Sequence, residues 1–282
     1  MRAIFSCALL FTALSAGAVE PQRADIPFDG STVLKAWIFQ PAKAPGLRPV
    51  AIINHGSPPG GAPDRAKMNP KFTFAAEQFV QWGFIVVVPT RRGYGETGGA
   101  WAETTHTCDN ASFYEGGLES AKDIGAAVKF AKSLPDADPA KILLVGQSAG
   151  GWGVLAAAMQ KDIDAVAIVN FAGGRGGMRN GVPNFNCSPD KLVKAVGDYG
   201  AESKRPSLWI YTENDHYFAP ELSKRMVENY KSKGGKAQFT LLPAFGRDGH
   251  SLFGARDGVV QWRGPVESFL IEQRFLPMGK DK

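Results

Sequence analysis

Long apolar runs are scarce in this 282-residue chain. Beyond the first 18 residues no stretch approaches the roughly 20 apolar residues that a membrane helix needs, which excludes a bundle of membrane-spanning helices. Cysteine is scarce too, three in all, and neither the cysteines nor the four histidines pair at ligand spacing, so no metal site is expected. No Gly-x-x-x-x-Gly-Lys phosphate loop occurs. Internal repeats and low-complexity tracts are missing, which excludes solenoids and disordered tails. Positive charges are scattered, and a net charge of +5 is too mild to argue for nucleic acid. What remains is a chain that is 44% hydrophobic and long enough to bury one sizeable core.

Residues 1–18 stand apart: Arg2 is a minimal positive start, Ala3 to Leu14 is apolar, Ala16-Gly17-Ala18 is a small-residue cleavage site, and Glu20-Pro21-Gln22-Arg23 follows. This pattern predicts a cleavable secretory signal, a mature domain over 19–282, and a secreted or periplasmic product with no stable membrane anchor. Cys7 leaves with the signal. Cys108 and Cys187 remain as an even pair bound for an oxidising compartment, where a disulfide is expected.

Hydrophobic patterning predicts paired strands over Ile26 to Asp29 and Val33 to Gln40, joined by Asp29-Gly30, a dipeptide suited to positive φ. Val50 to Asn54 is a continuous apolar strand of the buried kind. Helices are expected over Phe72 to Trp82, Phe113 to Leu134, Gly150 to Lys161, Pro220 to Lys233 and Val266 to Phe275. Strands are expected over Phe84 to Pro89, Lys141 to Val145, Ala165 to Phe171, Leu208 to Tyr211 and Gln238 to Leu242. The alternation implies an α/β domain built on a mostly parallel twisted sheet with helices on both faces, with sites at the carboxyl ends of the strands. Two insertions interrupt it, about 91–110 and 172–204. Each follows the carboxyl end of a strand and holds one of the two cysteines, so the expected bridge would staple them into a short lid or wall beside the site.

That site centres on Gly146-Gln147-Ser148-Ala149-Gly150, a Gly-x-Ser-x-Gly turn between a strand and a small-residue helix. A serine becomes a nucleophile only when a base takes its proton and a third group orients that base. His250, in the loop after the last strand, is the candidate base; His55, His106 and His216 lie less favourably. Asp215, beyond the strand that ends at Tyr211, is the candidate acid, with Glu213 as runner-up and Asp248 too near His250 to orient it independently. An oxyanion needs backbone donors. Ala149 N–H at its helix start is one candidate, and Ser57 N–H in His55-Gly56-Ser57-Pro58 is the other, with Gly56 in reserve because prolines have no N–H. Arg91 or Arg92 could clamp a substrate carboxylate, and Tyr94, Trp101, Trp152 and Phe218 could line an apolar pocket.

Gly146 to Gly150, His55-Gly56 after a strand, Asp215 and Gly249-His250 together resemble an α/β-hydrolase, most nearly the secreted relatives of the dienelactone hydrolase family. The resemblance covers essentially all of the mature chain. Dienelactone hydrolases carry a cysteine nucleophile where this chain has Ser148, so it implies serine-esterase chemistry on a small-molecule or polymer ester, with no cofactor. Pro89 to Gly98 is also similar to an Arg-Gly-x-Gly turn of such hydrolases and of related acyl-cleaving peptidases. A peptidase or amidase of the same fold is therefore a second reading, and a non-catalytic hydrolase-like binding protein a third.

Overall fold

The computed structural model describes residues 20–42 and 45–278; the expected signal over 1–18 lies outside them. Eight strands form one sheet in the order β1-β2-β4-β3-β5-β6-β7-β8. β1 (Gln22–Pro27), β2 (Val33–Phe39) and β4 (Ile85–Pro89) pair antiparallel, while β3 (Arg48–Asn54), β5 (Ala137–Gln147), β6 (Ala167–Phe171), β7 (Ser207–Thr212) and β8 (Ala237–Leu242) continue from β4 in parallel. Central strands such as Ile85–Pro89 and Ala167–Phe171 are buried at every residue, as parallel strands covered on both faces must be.

Two hydrophobic cores lie on opposite faces of the sheet. α1 (Gly61–Ala66) is a short surface turn. α3 (Phe113–Lys132), α4 (Ala149–Met159), α5 (Pro189–Glu202) and α6 (Pro220–Ser232) pack on one face through Ile124, Trp152, Leu192 and Met226. α2 (Thr73–Gln81) and α7 (Arg256–Glu272) cover the other through Phe79, Trp262 and Val266. Helix α4 is buried along ten of its eleven residues, so it has no solvent face and depends on tertiary packing rather than amphipathicity.

Three local expectations need correction. The β1–β2 turn does not use positive φ at Gly30; Asp29 Oδ1 accepts from the N–H groups of Ser31 and Thr32 at 3.0 and 2.8 Å and closes the turn with its side chain. The 172–204 insertion is not irregular throughout, because Pro189–Glu202 is a helix with Pro189 in its first turn and Leu192, Val196 and Tyr199 buried at helical spacing. The last helix starts at Arg256, ten residues before the expected Val266, and carries Pro265 inside it. Cys108 and Cys187 are bonded, closing a 79-residue separation and joining the two inserted loops.

Candidate active site

Ser148 joins the end of β5 to the start of α4 with φ 57° and ψ −120°, a left-handed backbone that an L residue adopts only under constraint. Its surroundings supply that constraint. A β-carbon on Gly146 would lie 2.3 Å from the Gly150 carbonyl oxygen, and one on Gly150 would lie 2.1 Å from that of Asn54. Strand, turn and helix are therefore packed backbone against backbone, and the Ser148 N–H donates to Phe171 O at 3.0 Å, pinning the turn to β6. Ser148 remains 9% exposed.

Asp215 lies in the loop after β7 and is buried. Its Oδ1 accepts from the backbone N–H of Tyr217 at 2.7 Å and of Phe218 at 3.0 Å, bonds that fix the carboxylate before it meets any side chain. Both carboxylate oxygens stand 3.1 Å from His250 Nδ1. His250 opens a short 3-10 turn, Gly249–Gly254, where Asp248 Oδ1 accepts its backbone N–H at 3.0 Å. Asp248 thus acts on the main chain of His250, and the exposed Glu213 is no rival to Asp215. Gln147 Nε2–H donates to the His250 carbonyl at 3.1 Å, tying the histidine turn to the Ser148 turn. Ser148 Oγ itself forms no hydrogen bond among the described residues.

The other histidines have other duties. His216 is partly exposed, 3.9 Å from Asp248, and His106 is exposed. His55 is wholly buried. Its Nε2 accepts from Arg91 N–H at 3.1 Å, which leaves the proton on Nδ1 to donate to Gly56 O at 2.7 Å. Burial, reinforced by the Arg91 cation, pushes the His55 imidazole down to about 3.

Gly56 runs against the Ser148 turn: a β-carbon there would lie 3.0 Å from Ser148 Cβ and 2.8 Å from Gln147 Oε1. The Ser57 N–H donates to no acceptor among the described residues, while its hydroxyl shares a hydrogen bond with Tyr94 and accepts from Arg175 Nη1 at 3.1 Å. Trp101 Nε1–H in turn donates to the Tyr94 hydroxyl at 3.0 Å.

Several expected pocket residues point elsewhere. Arg91 is wholly buried and paired with Glu103 at 3.0 Å, so it is not a free carboxylate clamp; Arg92 pairs with Asp123 and Glu119. Trp152 is a core residue whose indole donates to Phe113 O at 2.9 Å. Phe218 is buried under Gly174, its ring 5.7 Å from that of His250. In its place Tyr217, which the sequence reading passed over, stacks on His250. Arg175 and Glu103 were missed as well; an arginine in a glycine-rich loop carries no local signal of its destination. Proximity to Asp215 could have drawn attention to Tyr217.

Comparison with known proteins agrees with the fold. A model of the Prolyl oligopeptidase family matches residues 70–172, a stretch that includes Ser148 and ends before Asp215. No curated protein sequence matches the chain. Among solved structures, acylaminoacyl peptidase from Pyrococcus horikoshii superposes with a TM-score of 0.67 at 18% identity, over 95% of this chain and 44% of that one. Est1E from Butyrivibrio proteoclasticus, with ferulic acid bound, gives 0.61 at 19% identity over 89% of this chain and 99% of that one. An esterase from Thermogutta terrifontis, Est2 with propionate bound, gives 0.58 at 18% over 92% and 97%. The chain spans less than half the length of the acylaminoacyl peptidase and nearly all of the two esterases. Its fold is that of the α/β-hydrolases.

Proposed function

We propose that the protein is a serine hydrolase that cleaves carboxylic esters through an acyl-enzyme. The observation that carries this reading is the buried Asp215 carboxylate 3.1 Å from His250 Nδ1, tied by Gln147 to the strained turn that bears Ser148. With Nδ1 held by Asp215, Nε2 is the nitrogen left to accept the Ser148 proton as Oγ attacks the ester carbonyl. Asp215 then stabilises the imidazolium, and the N–H groups of Ala149 and Ser57 receive the oxyanion. The imidazolium protonates the departing alcohol. Water, deprotonated by the same nitrogen, releases the acid and restores Ser148.

Ser148→Ala should abolish labelling by a fluorophosphonate and lower p-nitrophenyl acetate turnover by at least about a thousandfold. Unchanged activity would refute the nucleophile. The family match over 70–172 favours a peptidase as the second reading. An ester and an anilide sharing one acyl group decide between them: the ester reading expects kcat/KM higher for the ester by more than their chemical reactivities differ. The disulfide supports a secreted or periplasmic location, which N-terminal sequencing of protein recovered from the cell envelope and medium tests.

A further inference from the structure

Arg91 and Arg175 are buried on either side of one carboxylate, that of Glu103. Arg91 Nη1 donates to the His55 carbonyl at 2.8 Å. Arg175 Nη2 donates to Glu103 O at 2.7 Å and stands 3.0 Å from Glu103 Oε2, while its Nη1 donates to Ser57 Oγ at 3.1 Å. The segment from the His55 carbonyl to the Ser57 hydroxyl thus runs between two guanidinium groups that share a single anion. Resting on the ester-hydrolase reading above, we propose that Arg175 is a positioning residue that aims the Ser57 N–H at the developing oxyanion, and that the Cys108–Cys187 bridge holds Arg175 in place.

Three observations carry this. First, the cluster is a poor choice if stability were its only role: Arg91 and Arg175 each leave a buried Nε–H without an acceptor among the described residues, and buried ion pairs commonly fail to recover their desolvation cost. Second, its charge has the useful sign. Burial opposes ionisation of Glu103, but Arg91, Arg175 and the Ser120 hydroxyl outweigh it and hold the carboxyl well below its usual range, so two cations and one anion leave net positive charge beside Ser57. Third, the bridge closes around the same residues. Cys108 lies in the Glu103 loop, and Cys187 N–H donates at 2.7 Å to the carbonyl of Gly176, the neighbour of Arg175. Ser188 also donates its hydroxyl to Cys108 O.

The test compares the wild-type enzyme with Arg175→Met, Arg175→Lys, Ser57→Ala and the double variant Cys108→Ser/Cys187→Ser. It reads kcat and KM on p-nitrophenyl acetate, inhibition by an alkyl boronic acid that mimics the tetrahedral intermediate, and thermal midpoint. Loss of an aimed oxyanion donor should cut kcat in Arg175→Met about a hundredfold with little change in KM, and boronate affinity should fall with it. Arg175→Lys should recover part of the loss. Ser57→Ala, which leaves the ion pairs intact, should lower kcat in the same direction even if Arg175→Met does not fold. The bridge variant should lose less, about tenfold, and adding Arg175→Met to it should cost less than the product of the two effects. Arg175→Met or Ser57→Ala within twofold of wild type in kcat and boronate affinity overturns the role of Arg175, and so does a kcat loss that leaves boronate affinity untouched. A bridge variant as active as wild type overturns the role of the disulfide. A wild-type enzyme that hydrolyses no ester overturns the underlying reading instead.

Discussion

The ring of Tyr217 lies on the imidazole of His250, centroids 4.0 Å apart and planes 22° from parallel. The same residue donates its backbone N–H to Asp215 Oδ1, so one residue orders the Asp215 carboxylate with its main chain and backs the His250 imidazole with its ring. Stacked aromatic pairs contribute about 0.5–1.5 kcal/mol beyond the area they bury. Tyr217→Ala should therefore lower kcat for ester hydrolysis about tenfold or less, and Tyr217→Phe should stay near wild type because the face is kept. Steady-state kinetics on the three proteins check this; equal losses in both variants would assign the effect to the hydroxyl.

Asp215 and Glu213 are two residues apart, yet one is buried against His250 and the other is exposed. Asp215→Asn keeps the shape but puts an amide where the Nδ1–H needs an anion, and the expected fall in kcat is about 10³- to 10⁴-fold. Glu213→Gln should change nothing. Circular dichroism on both variants separates a lost charge from a lost fold.

The local parts of this arrangement were legible in the sequence. Gly146 and Gly150 could be assigned because a turn that sharp excludes β-carbons whatever surrounds it, and the collisions with Gly150 O and Asn54 O have that origin. The apolar runs of β3 to β7 marked buried parallel strands, and the chain order of Ser148, Asp215 and His250 followed from which strand each one ends. Direction was not legible. Arg91 and Trp152 adjoin the site in sequence but turn into ion-paired and apolar interiors, because partners twelve or more residues away, Glu103 and Phe113, satisfy their polar groups. Arg175 was passed over for the converse reason: its value comes from Ser57 and Glu103, 118 and 72 residues distant.

His55 gives a pH dependence of stability. The unfolded chain protonates it near 6.5, while the folded chain keeps it neutral down to about 3. Its contribution is complete above 6.5 and is lost as pH falls between these values, since the unfolded state takes up a proton that the native state refuses. The slope from this group approaches about 1.4 kcal/mol per pH unit. Urea unfolding of wild type and His55→Gln between pH 7 and 4 should give a flatter profile for the variant, which has no proton to bind there.

Gly150 and Gly30 separate two kinds of glycine. Gly30 sits in an exposed turn with nothing within 4 Å of an added β-carbon and an ordinary backbone, so Gly30→Ala should stabilise by about 0.4–1 kcal/mol through the unfolded chain. At Gly150 the added carbon meets the carbonyl oxygens of Asn54 at 2.1 Å and His55 at 2.5 Å. Those atoms end β3 and begin the Ser57 loop, and neither can rotate away as a side chain would. Relief requires moving helix α4 off the sheet or pushing the loop, and the expected cost is about 3 kcal/mol or more. If the loop yields, ester turnover should fall further than the lost stability accounts for at a temperature where the variant is still folded, because the proposed oxyanion donor, Ser57 N–H, moves with it. Denaturant unfolding and kinetics on Gly150→Ala distinguish the two responses: a folded but inactive variant means the loop gave way, and an unfolded one means the helix did.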